Sequence, residues 1–316
     1  MKILVVNCGS SSIKYKLFDV DHRRVMASGL AEKIGESGSV LSHHCTAASG
    51  EEQKLVLEGH IADHHQGLQQ VAALLLDPQV VGDRSEITAI GHRVVHGGDS
   101  FHAPTLVDEK IIADIQACIP LAPLHNPANL MGIQVARKLF PAASQVAVFD
   151  TAFHQTLPPE AYLYALPHAL CERYKIRRYG FHGTSHAFVA EEAAAFLGRP
   201  LAELNLITLH LGNGASMAAV AGGRSIDTTM GLTPLAGLVM GTRSGDVDPS
   251  VLVFLAQHEK MSAEALDALL NHKSGLQGLC GVNDMREVID KIRAGDQRAE
   301  TALAVFAYRI KQYIGA

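Results

Sequence analysis

Apolar positions along this chain come in short runs broken by small polar turns. The first run, 2–7, breaks at Asn7-Cys8-Gly9-Ser10-Ser11-Ser12 and resumes over 13–20, which predicts two strands joined by a tight turn. A second run, Leu206-Ile207-Thr208-Leu209-His210-Leu211, breaks at Gly212-Asn213-Gly214 and resumes as Ala215-Ser216-Met217-Ala218-Ala219-Val220. Strand, small-residue turn and strand thus occur twice, an internal repeat without the short period of a solenoid. The repeat predicts an α/β chain of two lobes, 1–150 and 151–316, with mixed sheets flanked by helices. Each lobe would offer a backbone-lined turn to one polyphosphate in the cleft between them.

Other elements follow from the same patterning. A strand over 87–95 leads into His96-Gly97-Gly98, and helices are expected over 65–76 and 108–118. The stretch 35–58, rich in Gly, Ser, Glu and His, reads as an elaborated loop or hairpin rim. Asn126-Pro127 looks like a helix opening, with Asn126 as N-cap, before a helix over 128–140 that Pro141 stops. Gln145-Val146-Ala147-Val148-Phe149 is a strand ending in Asp150, and 187–197 is a helix stopped at Gly198.

Candidate chemistry sits at the breaks in this pattern. Gly9 lets backbone approach an anion, Ser10 and Ser12 add donors, and Lys14 adds charge, although a plain hairpin turn reads the same way. No G-x-x-x-x-G-K-[ST] precedes a helix, so a P-loop is excluded. Arg93 and Arg243 each stand beside a glycine-rich turn, where a guanidinium fork suits phosphate or carboxylate oxygens. Asp150 lies at the carboxyl edge of a strand, where α/β sheets place ligands; a turn or capping aspartate is the alternative. His182 stands just before a helix N-terminus, a place for an anion or for a buried linker residue.

Composition narrows the ligand class. A net charge of -5 from 27 basic and 32 acidic residues leaves no broad footprint for nucleic acid or a membrane, so the ligand is expected to be small. Five scattered cysteines without a C-x-x-C pair suit a reducing cytoplasm. The pairs His43-His44 and His64-His65 lack zinc-like neighbours and read as solvated histidine.

Five motifs in order, Asn7-Cys8-Gly9-Ser10-Ser11-Ser12-Ile13-Lys14, Pro123-Leu124-His125-Asn126-Pro127, Phe149-Asp150-Thr151-Ala152-Phe153-His154, Phe181-His182-Gly183-Thr184-Ser185-His186 and Met240-Gly241-Thr242-Arg243-Ser244-Gly245-Asp246, resemble the acetate kinase family. The resemblance implies an actin-like, ribonuclease H-like duplicated fold and reversible transfer of the ATP γ-phosphoryl to acetate, giving acetyl phosphate and ADP. It also implies Mg2+, with Mn2+ as an alternative, and a homodimer. By resemblance Arg93 and Arg243 hold acetate and the transferring group, His182 stabilises its oxygens, and Asp150 acts near the metal or acceptor, with Asn7 beside the metal. Ser10, Ser12 and Lys14 face the phosphates from one turn and His210, Leu211, Gly212, Asn213 and Gly214 from the other. Asp284, Met285 and Arg286 lie beside the nucleoside. Val95, Leu124, His125, Phe181 and Pro234 line the acyl pocket.

The sequence departs from the family at its end. Family members continue into a Gly-Gly-Ile-Gly-Glu-Asn-type loop and a later Asn-Glu-Glu carboxylate that these residues lack, which leads to the expectation of a truncated, weakly active or inactive chain. Propionate or butyrate kinases share most of the motifs and are the nearest rivals. An actin-like nucleotide-binding protein without transfer activity is the rival of another class.

Overall fold

The computed structural model describes residues 1–46, 52–78 and 80–316. The chain divides into two compact units, Met1–Ala152 and Phe153–Ala316.

In the first unit, strand β1 (Lys2–Cys8) is the hinge of a mixed sheet. On one side it pairs antiparallel with β2 (Ser12–Asp19), followed by β3 (Arg24–Glu32), β4 (Ser39–Thr46) and β5 (Glu52–Gly59). On the other it runs parallel to β6 (Ile87–Val94). The short β7 (Thr105–Leu106) then closes the far edge against β8 (Ser144–Phe149), which lies parallel to β6. An antiparallel meander continued by parallel strands is the α/β sheet expected of a ribonuclease H-like unit. The expected rim at 35–58 contributes β4 and β5; its residues 47–51 lie outside the described residues.

Alternation decides which face is covered. Leu4, Val6 and Cys8 are buried while Val5 between them is exposed, and Ile13, Tyr15 and Leu17 continue the same face on β2. Helices His64–Leu75 and Asn126–Leu139 pack on that face. Gly132 permits the second contact, because a Cβ there would stand 2.5 Å from Cys8 Sγ. Buried in this way, the Cys8 thiol has its pKa pushed up to about 12.

Two sequence expectations need correction here. Asn126 is not the N-cap: His125 takes that place, and Asn126 is the first helical residue. Its buried amide accepts from His96 N at 3.1 Å and donates to His96 O at 2.9 Å, a use of both ends that a cap would forgo. Nor are both histidine pairs solvated. His43 is buried and shares a 2.6 Å hydrogen bond with Tyr15 Oη, while buried His64 donates from Nε2 to Gly9 O at 2.6 Å. Only His44 and His65 face outward.

The second unit repeats the meander in β9 (Asn205–Leu211), β10 (Ala215–Ala221) and β11 (Arg224–Thr228), in the order β11-β10-β9. The helix Gly183–Leu197 covers β9 and β10. Helices Gly275–Cys280, Met285–Arg293 and Gln297–Gly315 enclose a separate core of Leu276, Cys280, Val288, Ala299 and Ala302. Among the described residues no helix is long and apolar enough to cross a membrane.

Each unit buries a neutral histidine. Burial pushes His92 down to about 4 despite its 2.8 Å bond to Gln145. Burial, with His154 and His210 nearby, pushes His186 to about 3. On unfolding, each ring takes up a proton below its ordinary value of about 6.5. Stability is therefore fully present above about pH 6.5 and is lost as pH falls toward those folded values, at up to about 1.4 kcal/mol per pH unit for each ring. The urea midpoint should fall between pH 7.5 and 5, and less steeply in His92→Gln; equal slopes would exclude His92 as a source.

Candidate active site

The first unit gathers its polar side chains at one end of three strands. Asn7 stands opposite Lys14 in the β1–β2 ladder, and Val5 stands opposite Gly91 on β6. Because every second residue shares a face, Asn7, Lys14 and Arg93 project from the same side of the sheet. The turn between β1 and β2 is closed by Gly9 N to Ser12 O at 2.8 Å and braced from behind by His64. Ser10 and Lys14 are exposed, and Ser12 is half-buried.

Arg93 meets Asp150 as a fork. Its Nε donates to Oδ1 at 3.0 Å and Oδ2 at 3.2 Å, and its Nη2 donates to Oδ2 at 2.6 Å. Asp150 is only 3 % exposed against 39 % for Arg93, so the pair joins a covered carboxylate to a guanidinium that reaches solvent. Burial works against the Arg93 charge, but Asp150 outweighs it and moves the pKa up. One amide sets the height of this group: Asn129 accepts from Val95 N at 3.0 Å and donates to Cys8 O at 2.6 Å, tying the ends of β6 and β1 together. Gly97 follows closely over Phe149, where a Cβ would lie 2.7 Å from the ring.

In the second unit His182 caps the helix Gly183–Leu197 with φ +56°, a left-handed conformation, and makes no side-chain capping bond. Its ring instead stacks on His210 at 4.0 Å. Arg243 donates from Nη1 to Pro234 O at 3.1 Å, and its burial lowers its pKa. Both groups converge over the second turn: a Cβ on Gly214 would lie 3.3 Å from Arg243 Nη1 and 3.7 Å from His182 Nε2. The backbone of the Arg243 loop is held by Met240 N to Arg243 O at 3.1 Å, Gly241 N to Asn213 O at 3.0 Å and Ser274 N to Thr242 O at 3.0 Å.

Beside that turn lies a cavity of about 450 Å3 lined by Leu211, Gly212, Asn213, Asn283, Asp284 and Met285, with Gly241, Leu276 and Phe306. Two separate sequence candidates thus meet here, joined by Asn283 Nδ2 to Asn213 Oδ1 at 3.3 Å. Asp284 caps the next helix and pairs with Arg286, whose hydrogen bonds hold the carboxyl pKa down at about 2. Of the acyl-pocket candidates, Val95 and Phe181 are buried, Pro234 is half-buried and Leu124 is 53 % exposed. Val95, Leu124 and the helix-capping His125 belong to the first unit, Phe181 and Pro234 to the second.

Gly241, Ser216, Asn129 and Phe306 were absent from the sequence candidates. Gly241 had a readable signal in its motif; a Cβ there would stand 2.0 Å from Asn213 Oδ1. Asn129, 121 residues from its partner Cys8, had none.

Known proteins resemble this chain over its whole length. The acetate kinase of Desulfotalea psychrophila is 53% identical over 321 residues, covering 100% of this chain and 79% of the relative. That of Streptomyces coelicolor is 54% identical, with 100% and 77% covered. The crystal structure of Porphyromonas gingivalis acetate kinase superposes with TM-score 0.92 at 47% identity, covering 99% of this chain and 78% of that one. A propionate kinase from Francisella tularensis superposes with TM-score 0.93 at 42% identity, covering 99% and 79%. The sequence profile of the acetokinase family matches residues 2–316, and with these relatives it establishes that the chain belongs to that family of phosphotransferases.

Proposed function

We propose that this protein is an acetate kinase, transferring the γ-phosphoryl of ATP to acetate and, in reverse, from acetyl phosphate to ADP. The observation that carries the reading is that Arg243 Nη1 and His182 Nε2 both lie close over the turn at Gly214, in a member of this family. An acetate oxygen attacks the γ-phosphorus, the bond to the β-phosphate oxygen breaks, and ADP leaves with that electron pair. Acetate, with a pKa near 4 like other carboxylates, is already ionised at pH 7, so the step needs no general base. What it needs is position and charge compensation for the moving phosphoryl group.

The residues divide that work. Arg93 and Arg243 supply guanidinium forks to acetate and phosphoryl oxygens, His182 donates to the phosphoryl oxygens, and Asp150 orients Arg93. Ser10, Ser12 and Lys14 in one unit, and the turn from His210 to Gly214 in the other, meet phosphates. The cavity at Asn283, Asp284, Met285 and Arg286 takes the nucleoside. The residues proposed for the acetate methyl are Val95, Leu124 and His125 in one unit and Phe181 and Pro234 in the other.

Among the described residues no group of three or more His, Cys, Asp or Glu could hold a metal ion. Mg2+ asks for less, since it is commonly bound by one or two protein oxygens with phosphates and water. The Asn7 amide and Asp150 carboxylate are hard oxygen donors of the right kind. Bound there, Mg2+ would neutralise phosphate charge. A cytoplasmic homodimer completes the proposal.

In a hydroxylamine-trapping assay, the full-length protein should form acetohydroxamate only with acetate, ATP and Mg2+ together; no product under those conditions would refute the activity. The likeness to a propionate kinase supports a second reading. Branched Val95 should nonetheless favour acetate, with kcat/KM falling from acetate to propionate to butyrate. A higher value for propionate would reverse the assignment.

A further inference from the structure

Behind the His182 ring runs a line of buried polar side chains that the chemistry above leaves unused. Ser216 on β10 is fully buried, and its Oγ lies 2.9 Å from His182 Nδ1 and 2.8 Å from His186 Nε2. His186, in the first turn of the same helix, places Nδ1 2.8 Å from Thr208 Oγ1 on β9. A serine hydroxyl has one proton and two lone pairs; among the described residues Ser216 Oγ has no partner besides the two rings, so its buried proton goes to one ring and it accepts from the other.

With neutral rings the three contacts have two consistent directions. Inward, His182 Nδ1–H donates to Ser216, Ser216 to His186 Nε2, His186 Nδ1–H to Thr208, and Thr208 to Ala218 O at 3.4 Å. Outward, Thr208 donates to His186 Nδ1, His186 Nε2–H to Ser216, and Ser216 to His182 Nδ1. The proton of a neutral His182 then sits on Nε2, the nitrogen beside Gly214 and Arg243.

One contact length and one chemical requirement favour the outward direction. The 2.8 Å contact between His186 and Thr208 is made either way; what differs is the Thr208 proton, which the inward chain sends to Ala218 O at 3.4 Å, long for a hydroxyl donor, and the outward chain sends to His186 Nδ1 at 2.8 Å. The inward chain also leaves Nε2 without a proton unless the ring becomes cationic. Four basic groups gather around that ring: Arg243 from the loop, stacked His210 from β9, His186 from the same helix and, behind it, His154. Burial already opposes charge on Arg243 and keeps His186 neutral.

We propose that Thr208, His186 and Ser216 are positioning residues that hold neutral His182 as its Nε2–H tautomer, so that it can donate to a phosphoryl oxygen without adding a cation. The proposal builds on the phosphotransferase reading, but its first test needs no turnover. In protein labelled with 15N-histidine, at about pH 8 and without substrate, the His182 signals are assigned by their loss in His182→Gln. They should show Nε2 protonated and Nδ1 bare. Thr208→Val removes a hydroxyl that does not touch His182, yet it should move part of the population to Nδ1–H, as should Ser216→Ala. A wild-type ring that is Nδ1–H or doubly protonated, or a tautomer ratio unmoved in both variants, would overturn the proposal.

Turnover gives a second readout. Wild-type kcat should stay level between about pH 7 and 9, where a cationic donor would lose about tenfold per pH unit above its pKa. Ser216→Ala should lower kcat by roughly fivefold with KM for ATP within about twofold, and Ser216→Thr should recover most of the loss. A tenfold-per-unit alkaline decline in wild type, or a loss in Ser216→Ala confined to KM, would count against the relay. A protein that catalyses nothing but shows the Nε2–H tautomer would refute the kinase reading alone.

Discussion

Arg93→Ala and Arg243→Ala should each lower kcat/KM for acetate by roughly three orders of magnitude or more, because each deletes a charged fork from a site that works by charge compensation. The two variants should differ in stability. Arg93→Ala strips the partner from a 3 % exposed carboxylate, leaving Asp150 covered and uncompensated, so it should also unfold at lower urea. Among the described residues Arg243 donates only to a carbonyl, and its burial already disfavours its charge, so Arg243→Ala should cost little stability. Arg93→Lys separates charge from shape: a lysine keeps the cation but cannot bridge both Asp150 oxygens, and activity should remain at least about tenfold down. Near wild-type turnover in either alanine variant would remove that arginine from the chemistry.

Gly275→Ala should be a severely damaging small substitution in the second unit. Gly275 has φ +60°, and a Cβ there would stand 2.2 Å from Met240 O and 2.6 Å from Arg243 O. Both obstacles are backbone atoms of the loop that carries Arg243, so the loop itself must move. Left-handed strain adds about 1–2 kcal/mol and the clash about as much again, for a total near 3 kcal/mol. A displacement of roughly 1 Å in Arg243 should cost about a hundredfold in kcat. Gly295→Ala is the control, since Gly295 also has positive φ, at +86°, but nothing lies within 4 Å of the added carbon. If Gly275→Ala unfolds and turns over like Gly295→Ala, the tight packing of this loop is not what places the arginine.

Local signals were legible in the sequence. The turn at Gly9 and its repeat at Gly212 lie between strands as expected, Asp150 follows β8, and His182 stands at the start of its helix. These depend on residues within a few positions of one another. Asn126 shows where local reading stops: Asn-Pro suits both an N-cap and a first helical turn, and only His96, thirty residues away, decides between them. His43 could have been read correctly, because Leu41, His43 and Cys45 share one face of β4 and that face is buried. The Ser216 relay and the Asn129 tie had no signal in sequence, since each joins groups brought together only by strand pairing and helix packing.

The tight seat of Gly132 over Cys8 bears on how the protein meets oxidants and alkylating agents. Cys8 lies next to Gly9 at the turn proposed for phosphate, a position where a modified sulfur would do great harm. A thiol reacts as its anion, and one that is buried with its pKa pushed up to about 12 offers almost none at neutral pH. Cys118, the one cysteine that is only partly covered, is also pushed up, to about 11, by burial and by Asp99 and Asp114. Electrophiles and peroxides therefore find poor targets in Cys8 and Cys118, and the turn at Gly9 keeps its shape under conditions that would disable an enzyme relying on a reactive thiol.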